Sequence, residues 1–382
     1  MILYCYCILL ILYLLFKNSR ALEILSLFFL TIVMGANSLN CDLQYTSTAQ
    51  STDVYYHLYT DQSFFTDDIG YGILMEFFKR LGFTYKYFRL TLSIFEFSIL
   101  YKLLKRFSCN GTLFFILYAI YPFCYDVAAQ RNTLGMFIWF YAFSILVEGK
   151  SGHILKYIIL TLVAATMQKT FLIYVPIVFF WGQQNNYYNP PKLKYLSIVR
   201  NNLKYAVLCT LILLSIVIGL NRDLLESVTM GAINSILKDD RRGSLFENTT
   251  KIFWIVLWAE QIMNFVLVKY MGDKLLKKKE SPMVCSYYKS VYLLNLYSFL
   301  FLPLYVLAGV FFRLSKNIVP LNLILFANYS YRFPKSPFIL VVFIYQFFLF
   351  VLHIYLGGNW LMPFFEPIID NNWIFGIGEK AL

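Results

Sequence analysis

Apolar stretches recur along the whole chain, and between them the polar positions gather into short breaks rather than alternating or striping the segments. A stretch apolar on every side is the pattern of a helix surrounded by lipid or by other helices. Twelve such stretches can be drawn, at approximately 2–16, 21–36, 85–101, 112–125, 128–147, 154–167, 170–182, 203–220, 252–270, 290–312, 317–331 and 337–356. A bilayer core takes about 20 residues of helix, fewer where flanking anchors or neighbours help. The pattern therefore predicts an all-α polytopic membrane protein of about twelve transmembrane helices, with residues 1–382 forming a single membrane domain. Two long polar segments, 37–84 and 221–251, and a tail at 357–382 rich in Trp, Phe and Pro are predicted to lie outside the bilayer. Long loops in a compact membrane domain are commonly functional.

Composition narrows the class. Hydrophobic residues are 59% of the 382 and charged residues 14%, which excludes an ordinary soluble enzyme, while 20% aromatics can supply interfacial belts. The opening "MILYCYCILLILYLLF" has no basic residue before it and no small-residue cleavage site after it, so it reads as a retained helix. Of seven cysteines only Cys41 falls in a predicted outer loop, so neither a disulfide framework nor a zinc site is implied.

The net charge of +12 gains its meaning from its distribution. With the N-terminus outside, the inner loops are 17–20, 102–111, 148–153, 183–202, 271–289 and 332–336; they hold sixteen Lys and Arg but only three acids, Glu148, Asp273 and Glu280. The other loops and the tail hold fifteen of the twenty-one acids. Basic cytoplasmic loops account for the charge under the positive-inside rule, and no nucleic-acid partner is implied.

Against this background, charges near the predicted spans need a reason. "ATMQKTF" (165–171) puts Gln168 and Lys169 inside a long oily stretch. A charge at mid-bilayer costs at least ~2.5 kcal/mol; counting spans instead makes the pair the outer turn of a helical hairpin. Arg131 opens the next-but-one upstream span, just after Asp126, and is either an interfacial arginine that snorkels to water or pairs with Asp126, or an anion contact whose planar fork suits phosphate. Arg313 ends a span on the same side. Together Arg131, Lys169 and Arg313 are predicted at one membrane level, where three basic groups can hold an anionic lipid headgroup. Asp53 and Asp68 are either solvated loop acids or, one of them, a general base taking a proton from a sugar hydroxyl. Tyr55, Tyr56 and Tyr59 beside Asp53 suit stacking on sugar rings. The three histidines form no metal pair or nucleophile–base motif, and there is no phosphate-cradling glycine loop.

The order of these features resembles the EpsG family of bacterial membrane proteins, related to the Wzy-type polysaccharide polymerases. "STDVYYHLY" and "DDIGYGILMEFFKRLGF" resemble that family's outer-loop elements, "QRNTLGMFIWFYAF" its Arg-Gln span opening, "AATMQKTFLIYVPIVFF" its hairpin turn, and "FRLSKNIVP" its later outer Arg-Leu. The likeness runs from about residue 50 to 335. Gln168 stands where the family has His, Asn132 where it has Gln, and Ile69 where it has Pro. Gln168 can give and accept hydrogen bonds but cannot carry a proton between groups.

The resemblance implies a polymerase in the bacterial inner membrane that joins polyprenyl-diphosphate-linked oligosaccharide units at the outer face. Arg131 would be catalytic with Asp53 or Asp68 as base, and Gln168, Lys169, Arg313 and Tyr56 would bind substrate. Membrane lipid and a chain-length regulator protein are the further partners implied, and neither nucleotide nor obligatory metal is needed. The alternatives from other classes are a flippase for lipid-linked oligosaccharides and a membrane acyltransferase.

Overall fold

The computed structural model describes residues 2–16, 19–37, 68–181, 191–221, 253–278, 280–307, 311–356, 368 and 370–377. Within them the chain is all helical apart from isolated bridges that tie Asn372 to Asn37 and Ile377. The helices are α1 (Ile2–Leu15), α2 (Arg20–Gly35), α3 (Ile69–Arg80), α4 (Tyr85–Arg106), α5 (Gly111–Ile120), α6 (Phe123–Ala128), α7 (Gln130–Glu148) and α8 (His153–Met167). A 3-10 helix, Lys169–Tyr174, leads to α9 (Ile177–Phe180) and α10 (Pro191–Leu220). After them come α11 (Phe253–Leu276), α12 (Pro282–Tyr297), α13 (Leu302–Leu307), α14 (Phe312–Lys316), α15 (Val319–Arg332) and α16 (Phe338–Leu356).

The starts are chemically marked. Ser19 Oγ accepts from the Leu22 N–H at 3.3 Å, and Asn110 Oδ1 from the Leu113 N–H at 3.0 Å. Ser281 Oγ accepts from the Val284 N–H at 3.4 Å, with Pro282 in the first turn where its missing donor costs nothing.

The predicted spans recur as helix, but several are shorter or broken. The run predicted at 112–125 divides into α5 and α6 at Pro122. That at 170–182 becomes the 3-10 helix and α9, meeting at Pro176. Proline lacks the N–H needed to continue a helix and crowds the preceding turn. Conversely, α10 begins twelve residues before its predicted span at 203, within the stretch assigned to an inner loop. The predicted outer loop 37–84 ends in a helix, α3. Among the described residues one run, Pro282–Val306, is long and apolar enough by itself to cross a membrane.

What marks a membrane protein is the placement of polarity. Ile94, Phe95, Leu155, Leu213, Phe347 and Phe348 are exposed on the outside, while Glu96, Gln130, Asn132, Glu260, Asn295 and Asn322 are buried inside. Such a surface suits lipid, and the interior polar groups find one another. Gln130 Nε2 donates to Glu96 at 2.9 Å, Asn295 and Asn322 exchange amide hydrogen bonds at 2.7 and 3.1 Å, and His353 Nε2 lies 2.8 Å from Glu260 and 3.2 Å from the Tyr121 hydroxyl.

Ion pairs and hydrogen bonds then sort the helix ends into two groups. At one end Lys105 pairs with Glu23 at 2.7 Å and Arg106 with Glu148 at 2.9 Å. There too Glu280 accepts from Arg332 Nε and Nη2 at 2.6 and 3.2 Å, a fork that holds the Arg332 pKa above its ordinary value. Apart from Glu23, these residues come from the loops that the charge count makes cytoplasmic. At the other end Arg89 donates to the carbonyls of Val127 and Asn37 at 2.7 and 3.2 Å, and the Trp373 N–H to that of Ala36 at 3.0 Å. Here also Lys316 pairs with Asp126, which accepts a second bond from Tyr118 at 2.7 Å.

The Lys316–Asp126 pair is fully buried, so removing one partner strands the other. Asp126→Ala is expected to cost about 3–5 kcal/mol and to lower the thermal unfolding midpoint of the detergent-solubilised protein. The double variant Asp126→Leu/Lys316→Met, which removes both charges, is expected to recover most of that loss.

Candidate functional site

The candidate residues cluster where α7 begins. Asp68, immediately before α3, sits in the left-handed region at φ 35°, ψ 51°. That conformation costs a residue with a side chain roughly 1 kcal/mol. An aspartate at a helix start ordinarily accepts hydrogen bonds from its own first-turn N–H groups. Asp68 makes no such bond. Its Oδ2 instead accepts from Arg131 Nη1 at 2.8 Å, with the carboxylate 8% and the guanidinium 27% exposed. The carboxylate is therefore withdrawn from solvent into an ion pair rather than standing free in water. As an anchor Arg131 is expected to snorkel to water or to pair with Asp126; Asp126 faces Lys316 instead, because a fully buried ammonium has a stronger claim on it than an arginine at the rim.

Close approach holds α3 in place. A Cβ at Gly70 would stand 2.1 Å from Thr166 Oγ1 and 3.0 Å from the Met167 side chain. Only glycine allows the first turn of α3 to rest on the last turn of α8. Gln168 follows directly in extended conformation, donating its N–H to Ala164 O at 3.0 Å and accepting from the Phe171 N–H at 3.1 Å. Lys169 opens the 3-10 helix and is exposed. The hairpin turn expected there is thus present.

A relay of buried aromatic groups ties this turn to Arg313. Trp139 Nε1 donates to the Tyr157 hydroxyl at 3.1 Å, Tyr157 to the Tyr174 carbonyl at 2.8 Å, and the Tyr174 hydroxyl to the Leu314 carbonyl at 2.8 Å. The Trp139 and Tyr174 rings stack with centroids 4.1 Å apart. Leu314 follows the half-buried Arg313 on α14. A second tie is the amide pair Asn132–Asn317, closed in both directions at 2.8 and 3.2 Å. Asn132, where the resembling family has Gln, is therefore committed to α14–α15, next to Arg131.

Asp68 and Arg131 are joined directly. Gly70, two residues after Asp68, rests on Thr166, two residues before Gln168, and Asn317, bonded to Asn132, lies four residues after Arg313. Asp53 and Tyr56 lie outside the described residues. Among the described residues no group of three His, Cys, Asp or Glu is arranged to hold a metal ion.

Sequence reading missed the buried polar partners, although a signal was available. Once the loop acids are assigned, Glu23, Glu96 and Glu260 remain inside predicted spans. Each has a partner: Lys105, Gln130 and His353. Lys316, four residues after the start of "FRLSK", carries no local sign that it is buried.

The arrangement presents a half-exposed arginine, a neighbouring carboxylate and two further basic residues at one end of a helical bundle. No curated protein and no solved structure matches the chain. The sequence model of the EpsG family, a Wzy-like polymerase family, matches residues 21–365, nearly the whole chain, and the protein belongs to that family.

Proposed function

We propose that this protein is a polymerase of bacterial surface polysaccharide, crossing the inner membrane about twelve times and joining polyprenyl-diphosphate-linked oligosaccharides at its outer face. The observation that carries the reading is the Asp68–Arg131 pair at the mouth of α7. An acceptor hydroxyl attacks the anomeric carbon of the donor chain, the carbon–oxygen bond to the diphosphate breaks, and the polyprenyl diphosphate leaves. Arg131 neutralises the departing charge with its fork, helped by Lys169, Arg313 and the N-terminal N–H groups of α7, which no side chain caps. When the diphosphate takes the guanidinium, Asp68 is released to accept the hydroxyl proton; Asp53 is the other acid that fits this role. Gln168 orients substrate without moving protons, and Tyr56 stacks on a sugar ring. A chain-length regulator would act on this machinery from outside it.

The two-ended sorting of ion pairs supports the orientation, since it groups the loops as the charge count does. Broken helices at Pro122 and Pro176 favour a flippase as second reading, because transporters place interrupted helices at their substrate sites. Purified protein in detergent separates the two: a polymerase lengthens lipid-linked units in micelles, and a flippase leaves them single.

In a cysteine-free background, Gln62→Cys is expected to react with an impermeant maleimide from outside the cell. Lys278→Cys is expected to react only after permeabilisation, and the opposite pattern would invert the proposed topology.

Arg131→Lys keeps a charge beside Asp68 but loses bidentate geometry. It is expected to reduce polymer nearly as far as Arg131→Ala, by about 10²–10³ in rate, whereas an anchoring arginine would tolerate lysine. Asp68→Asn still accepts a hydrogen bond from Arg131 but cannot take a proton. Loss of the ladder of lipid-linked chains at normal protein level marks Asp68 as the base; an intact ladder assigns it to orienting Arg131 and leaves Asp53 as the base.

A further inference from the structure

A joint lies just before Arg131. Helix α6 ends at Ala128, Ala129 leaves the helical conformation at φ −116°, ψ 63°, and α7 begins at Gln130 with no side chain capping it. An uncapped helix start carries unsatisfied backbone donors and frays readily, yet this one has to hold Arg131.

Side chains of the first turn take the place of the cap. Gln130 Nε2 donates to Glu96 Oε1 at 2.9 Å, Asn132 and Asn317 exchange amide bonds at 2.8 and 3.2 Å, and Thr133 Oγ1 donates to the Asp126 carbonyl at 2.8 Å. Gln130, Asn132 and Thr133 are all buried. Successive residues turn by about 100°, so these three cover an arc of about 160° whose middle lies opposite Arg131. Tethering them inward turns Arg131 out to the rim.

Helix α4 spans the joint. Arg89 and Glu96 stand on it seven residues apart, close to two full turns, and so share a face. Arg89 Nη2 donates to the Val127 carbonyl at 2.7 Å, before the joint, and Glu96 accepts from Gln130, after it. Both side chains are buried, so water does not compete for these bonds. The same helix is tied to the segment that carries Asp68: the Tyr71 ring of α3 meets the Phe88 ring edge-on, with centroids 5.9 Å apart.

We propose that Arg89 and Glu96 are positioning residues, a splint across the α6–α7 joint that aims Arg131 at Asp68. They act through the backbone on either side of Ala129. Their effect on chain transfer rests on the polymerase reading; their hold on the joint does not.

The test has two arms. In the first, full-length protein otherwise free of cysteine carries spin labels at Arg131→Cys and at Leu155→Cys, an exposed position on α8, and sits in nanodiscs. Pulsed electron paramagnetic resonance reads the distance between them. Replacing Arg131 removes its ion pair, so a single narrow distance shows that the joint keeps its direction without that pair. Glu96→Leu, Gln130→Met and Arg89→Met are expected to broaden the distance or add a second one. Glu96→Gln, whose amide oxygen still accepts from Gln130, is expected to keep it narrow. Glu96→Leu and Gln130→Met cut the same bond from opposite sides, so misfolding of one leaves the other to decide. A broad distance with the splint intact, or a narrow one without it, would overturn the proposal.

In the second arm Arg131 is retained and growth of lipid-linked chains is followed at matched protein level. Glu96→Leu is expected to slow it by up to about 10²-fold, the scale of a small misplacement of a catalytic group, and Glu96→Gln to preserve it. Normal growth in Glu96→Leu would overturn the positioning role. A parent protein that makes no polymer would instead count against the polymerase reading, and the first arm would still decide whether α4 holds the joint.

Discussion

The buried pair of Lys316 and Asp126 is the constraint on which the candidate site depends. A lone ammonium or carboxylate in an apolar interior is prohibitively costly, so the two must be neighbours wherever the bundle closes. Asp126 belongs to α6, five residues before Arg131, and Lys316 ends α14, three residues after Arg313. Joining them brings together two segments nearly two hundred residues apart. Asn132, six residues after Asp126, and Asn317, next to Lys316, repeat the join. With α6 and α14 fixed in this way, both arginines stand at the same end of the bundle.

The short and interrupted helices follow from the same economy. An isolated helix in lipid must satisfy all its own backbone groups, but a helix inside a bundle can hand some to its neighbours. The carbonyls of Val127, Tyr174 and Leu314 do so: they accept from Arg89, Tyr157 and Tyr174 at positions where the helices break or begin. The breaks place backbone and polar side chains at one end of the bundle. Asp68 shows the local form of this exchange, since a residue positioned to cap α3 gives its carboxylate to Arg131.

Helical class, membrane residence and the grouping of loops were legible in the sequence because they depend on quantities that add along the chain: hydrophobicity over a window, and Lys and Arg over a loop. Arg131 and Asp68 could be singled out because charge beside an apolar stretch is conspicuous.

Pairing was left to the tertiary structure. Whether Arg131 would face Asp126 or Asp68 turned on the competing claim of Lys316, a residue distant in the chain. That Asn132 would close on Asn317, or Glu260 on His353, likewise depended on which helices meet. The sequence by itself determined which residues had to leave water and which charges would then need partners, because transfer from water is a property of each residue and its near neighbours. Only the packed bundle decided who those partners are, because a buried polar group is satisfied by whatever lies within about 3 Å of it, and that distance bears no relation to separation along the chain.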